Sequence, residues 1–264
     1  MMGFNITPVV KNLLILNIAI FIITNFIPSE LTDYLALRYF ESSEFAPWQL
    51  FTYMFMHGGW MHLFSNMFAL FMFGPHLEQV FGPKRFLTFY LVCGIGAALF
   101  HFGIMFIEVQ QLKPLYNTYL KDPTFENFLA YIREYGADHP YIKEFITTYE
   151  DNATHPQAIA NAKGLVKATY YNYINTPMVG ASGAVFGILL GFGMLFPNMV
   201  LMLLIPPIPI KAKYFILIYG LLEFVYGVKQ APGSGDNVAH FAHLGGMLFA
   251  FILIRYWGIK SRNY

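Results

Sequence analysis

The chain is short of charge and shorter still of cysteine. Only 12% of its 264 residues are charged, about half the roughly 25% of an ordinary soluble domain. Together with 56% hydrophobic residues and a positive mean hydropathy, this excludes a typical soluble globular protein and points to a multi-pass membrane protein. The net charge of +1, with scattered basic residues, leaves no electrostatic footprint for nucleic acid. Cys93 stands alone, which excludes an intrachain disulfide and a cysteine metal cluster. No small-residue cleavage site follows the first apolar run; Pro28-Ser29-Glu30 does. That run reads as a retained helix rather than a signal peptide.

Aromatic and aliphatic runs are what the chain has in plenty. A membrane-crossing helix takes about 20 mostly apolar residues. Six segments fit: Val9–Ile27, Trp60–Phe81, Phe86–Ile107, Met178–Phe196, Tyr214–Val228 and Val238–Trp257. Val200–Ile205, closed by prolines, is too short to cross and reads as a turn or an interfacial strand. Lys84 and Arg85, Lys211 and Lys213, and Lys260 and Arg262 all fall on one side of such a bundle. The loop after the first segment is acidic instead, with Glu30, Asp33, Glu41 and Glu44 against Arg38. The positive-inside rule then puts both termini in the cytoplasm, and the lack of a transit-like extension points to a bacterial-type inner membrane.

Residues 108–176 break the apolar pattern and divide the chain into 1–107, 108–176 and 177–264. The middle stretch is polar and longer than an ordinary connection. Asp122-Pro123 opens a helical pattern carried by Phe125, Phe128, Leu129 and Ile132 and stopped at Gly136. Tyr141, Ile142, Phe145, Ile146 and Tyr149 repeat it, and a third helix runs from after Thr154 toward Ile174. The expected fold is therefore an all-α polytopic membrane protein: a six-helix bundle with a helical insertion on its outer side between helices three and four.

Two polar residues stand out against this background. Ser182 lies in Gly180-Ala181-Ser182-Gly183 at the head of the fourth segment, and His243 lies near the head of the sixth. By the topology above both face the outer side. Groups able to transfer protons are costly at membrane depth and mark function there. Serine needs a base to take its proton, and acyl transfer needs donors for the oxyanion. His243 offers the base. His62 and Asn66, four apart on one face of the second segment, offer the donors. Gly183, Gly187 and Gly191 in one segment, and Ala239, Gly246 and Ala250 beside His243 in the other, would let the two helices approach closely.

At this point the chain resembles the rhomboid family of intramembrane serine proteases. The matching residues are His62 with Asn66 (HxxxN), Gly180-Ala181-Ser182-Gly183 (GxSG), and His243-Leu244-Gly245-Gly246 through Ala250 (HxxGxxxA). The stretches Pro47–Thr52 and Gly74–Gly82 are also similar to family segments. The resemblance implies a rhomboid-like bundle and a Ser182–His243 dyad without a catalytic aspartate. It implies an oxyanion hole of His62, Asn66 and the Ser182 backbone N–H, and an aromatic ring, here Phe186, against the catalytic imidazole. It further implies transmembrane protein substrates reached through the lipid bilayer, a gate at the fifth helix and the loop Gly227–Asn237, and no metal or organic cofactor. Where relatives read Trp-Arg, this chain reads Trp48-Gln49.

Other polar residues take plainer readings. Asp236 caps the sixth helix, His57 and His240 tie loops or helix ends, and His101 is an interfacial or packing residue. Glu78 and Glu223 belong to structural polar networks, and Cys93 fills space. Two rival functions stand beside the protease. One is a metal hydrolase built on His57, His62, His240 and His243, although no HExxH motif is present. The other is a transporter or a client-binding relative that does not cut. The insertion, placed just before Ser182, reads either as a unit over the outer mouth that helps choose or admit substrates or as a solvated decoration.

Overall fold

The computed structural model describes residues 6–26, 30–136, 140–202, 207–230, 232 and 238–261. Helices dominate, and a single two-stranded ribbon is present among these residues. In chain order the helices are α1 (Pro8–Phe26), α2 (Glu30–Leu35), α3 (Gln49–Thr52), α4 (Trp60–Phe81), α5 (Pro83–Lys121), α6 (Phe125–Tyr135), α7 (Pro140–Glu150), α8 (Pro156–Asn175), α9 (Ser182–Leu195), α10 (Ala212–Lys229) and α11 (His240–Tyr256). A 3₁₀ turn, Tyr53–Phe55, extends α3. Strands β1 (Val200–Met202) and β2 (Pro209–Lys211) pair antiparallel, so the described start of the short apolar run is one arm of a ribbon.

Each of the six apolar segments coincides with a helix: α1, α4, α5, α9, α10 and α11. Two of them, α1 and α5, are long and apolar enough to cross a membrane by length and composition, while α9 and α11 are shorter apolar helices. α9 sits at the centre. Eleven of its fourteen residues are buried, whereas α10 turns Leu217, Ile218, Leu221, Leu222, Phe224, Val225 and Val228 outward. An apolar helix face of that size is unusual on a soluble monomer, and lipid is the environment it fits.

α5 does not end at Ile107, where the sequence reading closed its third segment. It runs on to Lys121, because Val109, Leu112, Tyr116 and Tyr119 extend an apolar stripe at helical spacing past the drop in hydropathy. Val109 packs with Tyr39 and Met105, while the far part of the stripe, Leu112, Tyr116 and Tyr119, seeds a second core separate from the main one. Tyr119, Phe128, Tyr131, Ile132, Tyr149 and Val166 close it from α5, α6, α7 and α8. Thr124 caps α6 by accepting from the Asn127 N–H, and Gly136 ends it. α8 covers Pro156–Asn175, close to the span expected for it.

The insertion is tied to the loop after α1. The Arg38 guanidinium donates to Asp33 (2.8 Å) and to the Asn175 carbonyl, and it pairs with Glu44 (3.2 Å). Lys113 reaches Glu41 at 2.8 Å. Leu37 and Met178 exchange backbone hydrogen bonds. Gln49 organises the same loop: its side-chain oxygen accepts from the Arg38 N–H (3.1 Å) and its amide donates to the Glu44 carbonyl (2.9 Å). At the opposite end of the bundle, the buried Glu78 carboxylate accepts from the Val9 and Val10 N–H groups. It thereby satisfies two donors at the start of α1 that no intrahelical carbonyl can reach.

Candidate active site

Ser182 opens α9, and the turn before it aims the helix start. Gly180 adopts φ +132°, a backbone state that side chains disfavour, and its N–H donates to the Tyr53 carbonyl at 3.0 Å. A β-carbon on Gly180 would stand 2.7 Å from Nε2 of His62. The glycine therefore makes the turn and leaves space for the imidazole. The first N–H groups of α9 lack intrahelical acceptors, as at any helix start, so they are available beside the Ser182 hydroxyl.

α9 and α11 meet backbone to backbone. A β-carbon on Gly246 would fall 1.9 Å from the Gly183 carbonyl oxygen, and one on Gly187 would lie 3.1 Å from the Gly246 oxygen. Gly183, Gly187 and Gly246 thus form the contact the glycine spacing suggested. Gly191 packs on Leu77, Phe89 and Ile254, and Ala239 precedes α11 rather than lining it. The close crossing brings the Ser182 Oγ to 2.9 Å from Nε2 of His243.

The His243 ring is held by its face and by its second nitrogen. Phe186 stacks on it with centroids 4.1 Å apart and planes 5° from parallel. Tyr219 continues the stack 5.3 Å from Phe186. Nδ1 of His243 lies 2.8 Å from Oε2 of Glu223 on α10, and Nδ1 of His240 lies 2.7 Å from the same oxygen. A carboxylate only accepts, so each facing Nδ1 carries a hydrogen. In neutral His243 that leaves Nε2 free to accept from the Ser182 hydroxyl.

His62 and Asn66 lie one turn apart on α4, as their spacing required. The Gly58 N–H donates to Nδ1 of His62 at 3.4 Å, which leaves the proton of the neutral ring on Nε2, the nitrogen beside Gly180. Asn66 is buried, and its Nδ2 has no acceptor among the described residues. An unpaired buried amide costs stability, and such exceptions call for a functional account. Both groups are donors without an acceptor among the described residues, at the same end of the bundle as Ser182.

The other polar residues sort differently from their sequence readings. Glu223 is part of a buried polar network, but that network is the one holding His243. His240 ties α11 to α10 through it. His57 makes no such tie: neither ring nitrogen has a partner among the described residues, and its ring stands 5.2 Å from His62. Burial and the neighbouring His62 push the His57 pKa down to about 3. His101 is half-buried and Cys93 is buried. Asp236 lies outside the described residues, as does most of the loop 227–237. The four-histidine metal set does not gather. Among the described residues the group with metal-ligand spacing is Glu223, His240 and His243, whose ligating atoms lie within 4.8 Å of one another.

Comparison with known proteins bears on this geometry. A family model described as the Rhomboid domain matches residues 44–107 and 157–259. The chain belongs to the rhomboid family. The family is membrane-integral and acts on membrane-protein substrates within the bilayer. The match passes over 108–156, which holds α6, α7 and the far end of α5.

RHOMBOID-like protein 5 of Arabidopsis thaliana is 40% identical over 52 residues, 20% of this chain and 17% of that protein. YdcA of Bacillus subtilis (strain 168), named as a candidate rhomboid protease, is 42% identical over 48 residues, 18% of this chain and 24% of that one. Inactive RHOMBOID-like protein 8 of Arabidopsis is 37% identical over 61 residues, 23% of this chain and 17% of its own length. The chain spans less than a quarter of the length of these curated relatives. Rhomboid relatives thus include one named as inactive, and the question for this chain rests on its own residues.

Proposed function

We propose that this rhomboid is an intramembrane serine endopeptidase that hydrolyses peptide bonds in or beside the transmembrane segments of other proteins. The observation carrying this reading is the 2.9 Å contact between the Ser182 hydroxyl and Nε2 of His243, with the ring braced by Phe186. A purely structural serine has no need of a braced imidazole whose free nitrogen faces it.

The chemistry follows from the geometry. As Oγ of Ser182 attacks the scissile carbonyl carbon, its proton passes to Nε2 of His243. The carbonyl oxygen takes the negative charge and accepts hydrogen bonds from Nε2–H of His62, Nδ2–H of Asn66 and the backbone N–H at the start of α9. The C–N bond then breaks, and the Nε2 proton goes to the leaving amine. Water repeats the sequence on the acyl-serine. A helical substrate has its carbonyls bonded internally, so it must unwind locally to present one to Ser182. No step requires a metal or organic cofactor.

In this reading α1, α4, α5, α9, α10 and α11 cross the bilayer, with both termini on the cytoplasmic side and Ser182 opening to the outer one. The second core, at the Ser182 end of α5, forms an outer unit beside the mouth. The test is cleavage of a single-pass substrate by purified protein in lipid, together with labelling by a serine-directed fluorophosphonate. Ser182→Ala and His243→Ala should each abolish both while leaving thermal unfolding unchanged. Cleavage surviving in folded Ser182→Ala would refute the assignment. Substrate binding without cleavage or labelling by the wild type would favour a client-binding protein instead.

A further inference from the structure

We infer that Glu223 is a positioning residue of the reaction, extending the serine–histidine pair into a three-membered hydrogen-bonded chain whose carboxylate comes from a separate helix. The inference rests on the protease reading above and extends it to a residue the family resemblance does not supply. Glu223 lies on α10, Ser182 on α9 and His243 on α11, so no sequence motif contains all three. The chain runs from Ser182 Oγ to His243 Nε2 at 2.9 Å and from His243 Nδ1 to Glu223 Oε2 at 2.8 Å.

Three observations separate this arrangement from an incidental buried acid. First, the carboxylate is buried, at 9% exposure, and its hydrogen-bond partners among the described residues are two imidazole nitrogens rather than a lysine or arginine. An acid buried in an apolar bundle is costly to keep charged, and these N–H groups are what hold it. Second, His240 and His243 lie three apart on α11, so one helix face presents both Nδ1 atoms to one oxygen. His240 therefore holds the carboxylate in place independently of His243, while Tyr226 stacks on His240 at 5.6 Å. Third, Phe186 fixes the ring plane of His243 but cannot choose between its tautomers. Only a hydrogen-bonding partner at Nδ1 can, and Glu223 is that partner.

During attack the Ser182 proton moves to Nε2, and the imidazolium that forms keeps its own hydrogen on Nδ1. No proton passes to Glu223. Its part is to hold the tautomer that leaves Nε2 bare and to lie against the positive charge as it develops, the role the buried aspartate has in a serine protease triad. Glu223 touches neither substrate nor the reacting atoms, and all of its effect passes through His243.

The test uses the full-length protein in lipid nanodiscs. Glu223→Gln keeps the shape and one acceptor but removes the charge. It should lower kcat at least about tenfold and slow fluorophosphonate labelling of Ser182 in parallel, with KM within about twofold of wild type; removing the acid's charge in a triad costs far more where it also changes the tautomer. Glu223→Asp, charged but one methylene short, should recover part of the loss.

Nitrogen-15 NMR of the imidazoles gives a readout that does not depend on turnover. Neutral wild-type His243 should be the Nδ1–H tautomer, and Glu223→Gln should raise its Nε2–H fraction. An Nε2–H tautomer in the wild type would overturn the inference even if the variants fail to fold. Wild-type kcat and labelling in Glu223→Gln, beside dead Ser182→Ala and His243→Ala, would also overturn it and leave the protease reading intact. A wild type that neither cuts nor labels would remove both together.

Discussion

Among the described glycines, the one with least room for a β-carbon lies next to the proposed nucleophile, and Gly246→Ala tests what that close approach does. The added carbon would stand 1.9 Å from the Gly183 carbonyl oxygen, where real β-carbons stay beyond about 3.0 Å. Backbone lies on the far side, so no side chain can rotate away. α9 and α11 must separate by about 1 Å, at the upper end of the 1–3 kcal/mol typical of overpacking. The same displacement acts on chemistry, because Ser182 adjoins Gly183 and His243 sits one turn from Gly246. Stretching the 2.9 Å Ser182–His243 contact by about 1 Å takes it out of hydrogen-bond range. A misplacement of that size costs on the order of 100-fold in rate. The assay is unfolding in detergent alongside the rate of Ser182 labelling, with Gly103→Ala as the control. Gly103 faces open space, so alanine there should be neutral or stabilising by up to about 1 kcal/mol. If Gly246→Ala unfolds within about 0.5 kcal/mol of wild type and labels within twofold, the backbone contact does not set the geometry and the reasoning fails.

Asn66→Ala should lower kcat about 100- to 1000-fold with little change in KM, as expected for a donor that bonds only the developing oxyanion; a KM effect alone would place Asn66 in substrate binding. His57 is held neutral by burial, with a pKa near 3 against 6.5 for the free side chain, so the unfolded chain binds more protons between those values. Stability should therefore fall as pH drops from about 6.5 toward 3, by up to about 1.4 kcal/mol per unit. His57→Phe should flatten that slope in unfolding measurements from pH 7 to 4.5, and an unchanged slope would assign the acid sensitivity elsewhere. Phe128→Asp puts a carboxylate among Tyr119, Tyr149 and Phe145 in the second core. It should open residues 122–155 to protease while Ser182 labelling persists, and it should alter which substrates are cut. An unchanged cleavage pattern across a substrate panel would deny the insertion a selective role.

The contrast between Ser182 and Glu223 shows what a linear reading of this chain can reach. Ser182, His243, His62 and Asn66 were legible because each sits in a short pattern whose spacing already fixes a helix face. The glycine stripes beside them said how two of those helices would meet. Glu223 sits in no such pattern. It lies in an apolar run, Tyr219–Val228, and what places it beside His243 is the rotation of α10 about its own axis. That rotation is set by packing against α11: a β-carbon on Gly227 would meet His240 and Phe241 at 3.3 Å or less, and one on Gly220 would meet Met247 at 3.2 Å.

Two signals were nonetheless present in the sequence. An acid inside an apolar segment is expensive unless paired, and His240 and His243, three apart, were the only histidines in the last two segments able to pair with it. The end of α5 was missed for a related reason. Hydropathy falls at Glu108, yet the apolar stripe of Val109, Leu112, Tyr116 and Tyr119 does not stop there, because Tyr39 and then the second core replace lipid as its partners. Glu108 itself lies at that junction, its carboxylate accepting from the Tyr173 hydroxyl of α8. In both places composition alone gave no sign of what the structure brings together: a helix that continues, and a carboxylate beside the His243 ring. The deciding quantity was which neighbour each face met, and only the packed structure supplies that.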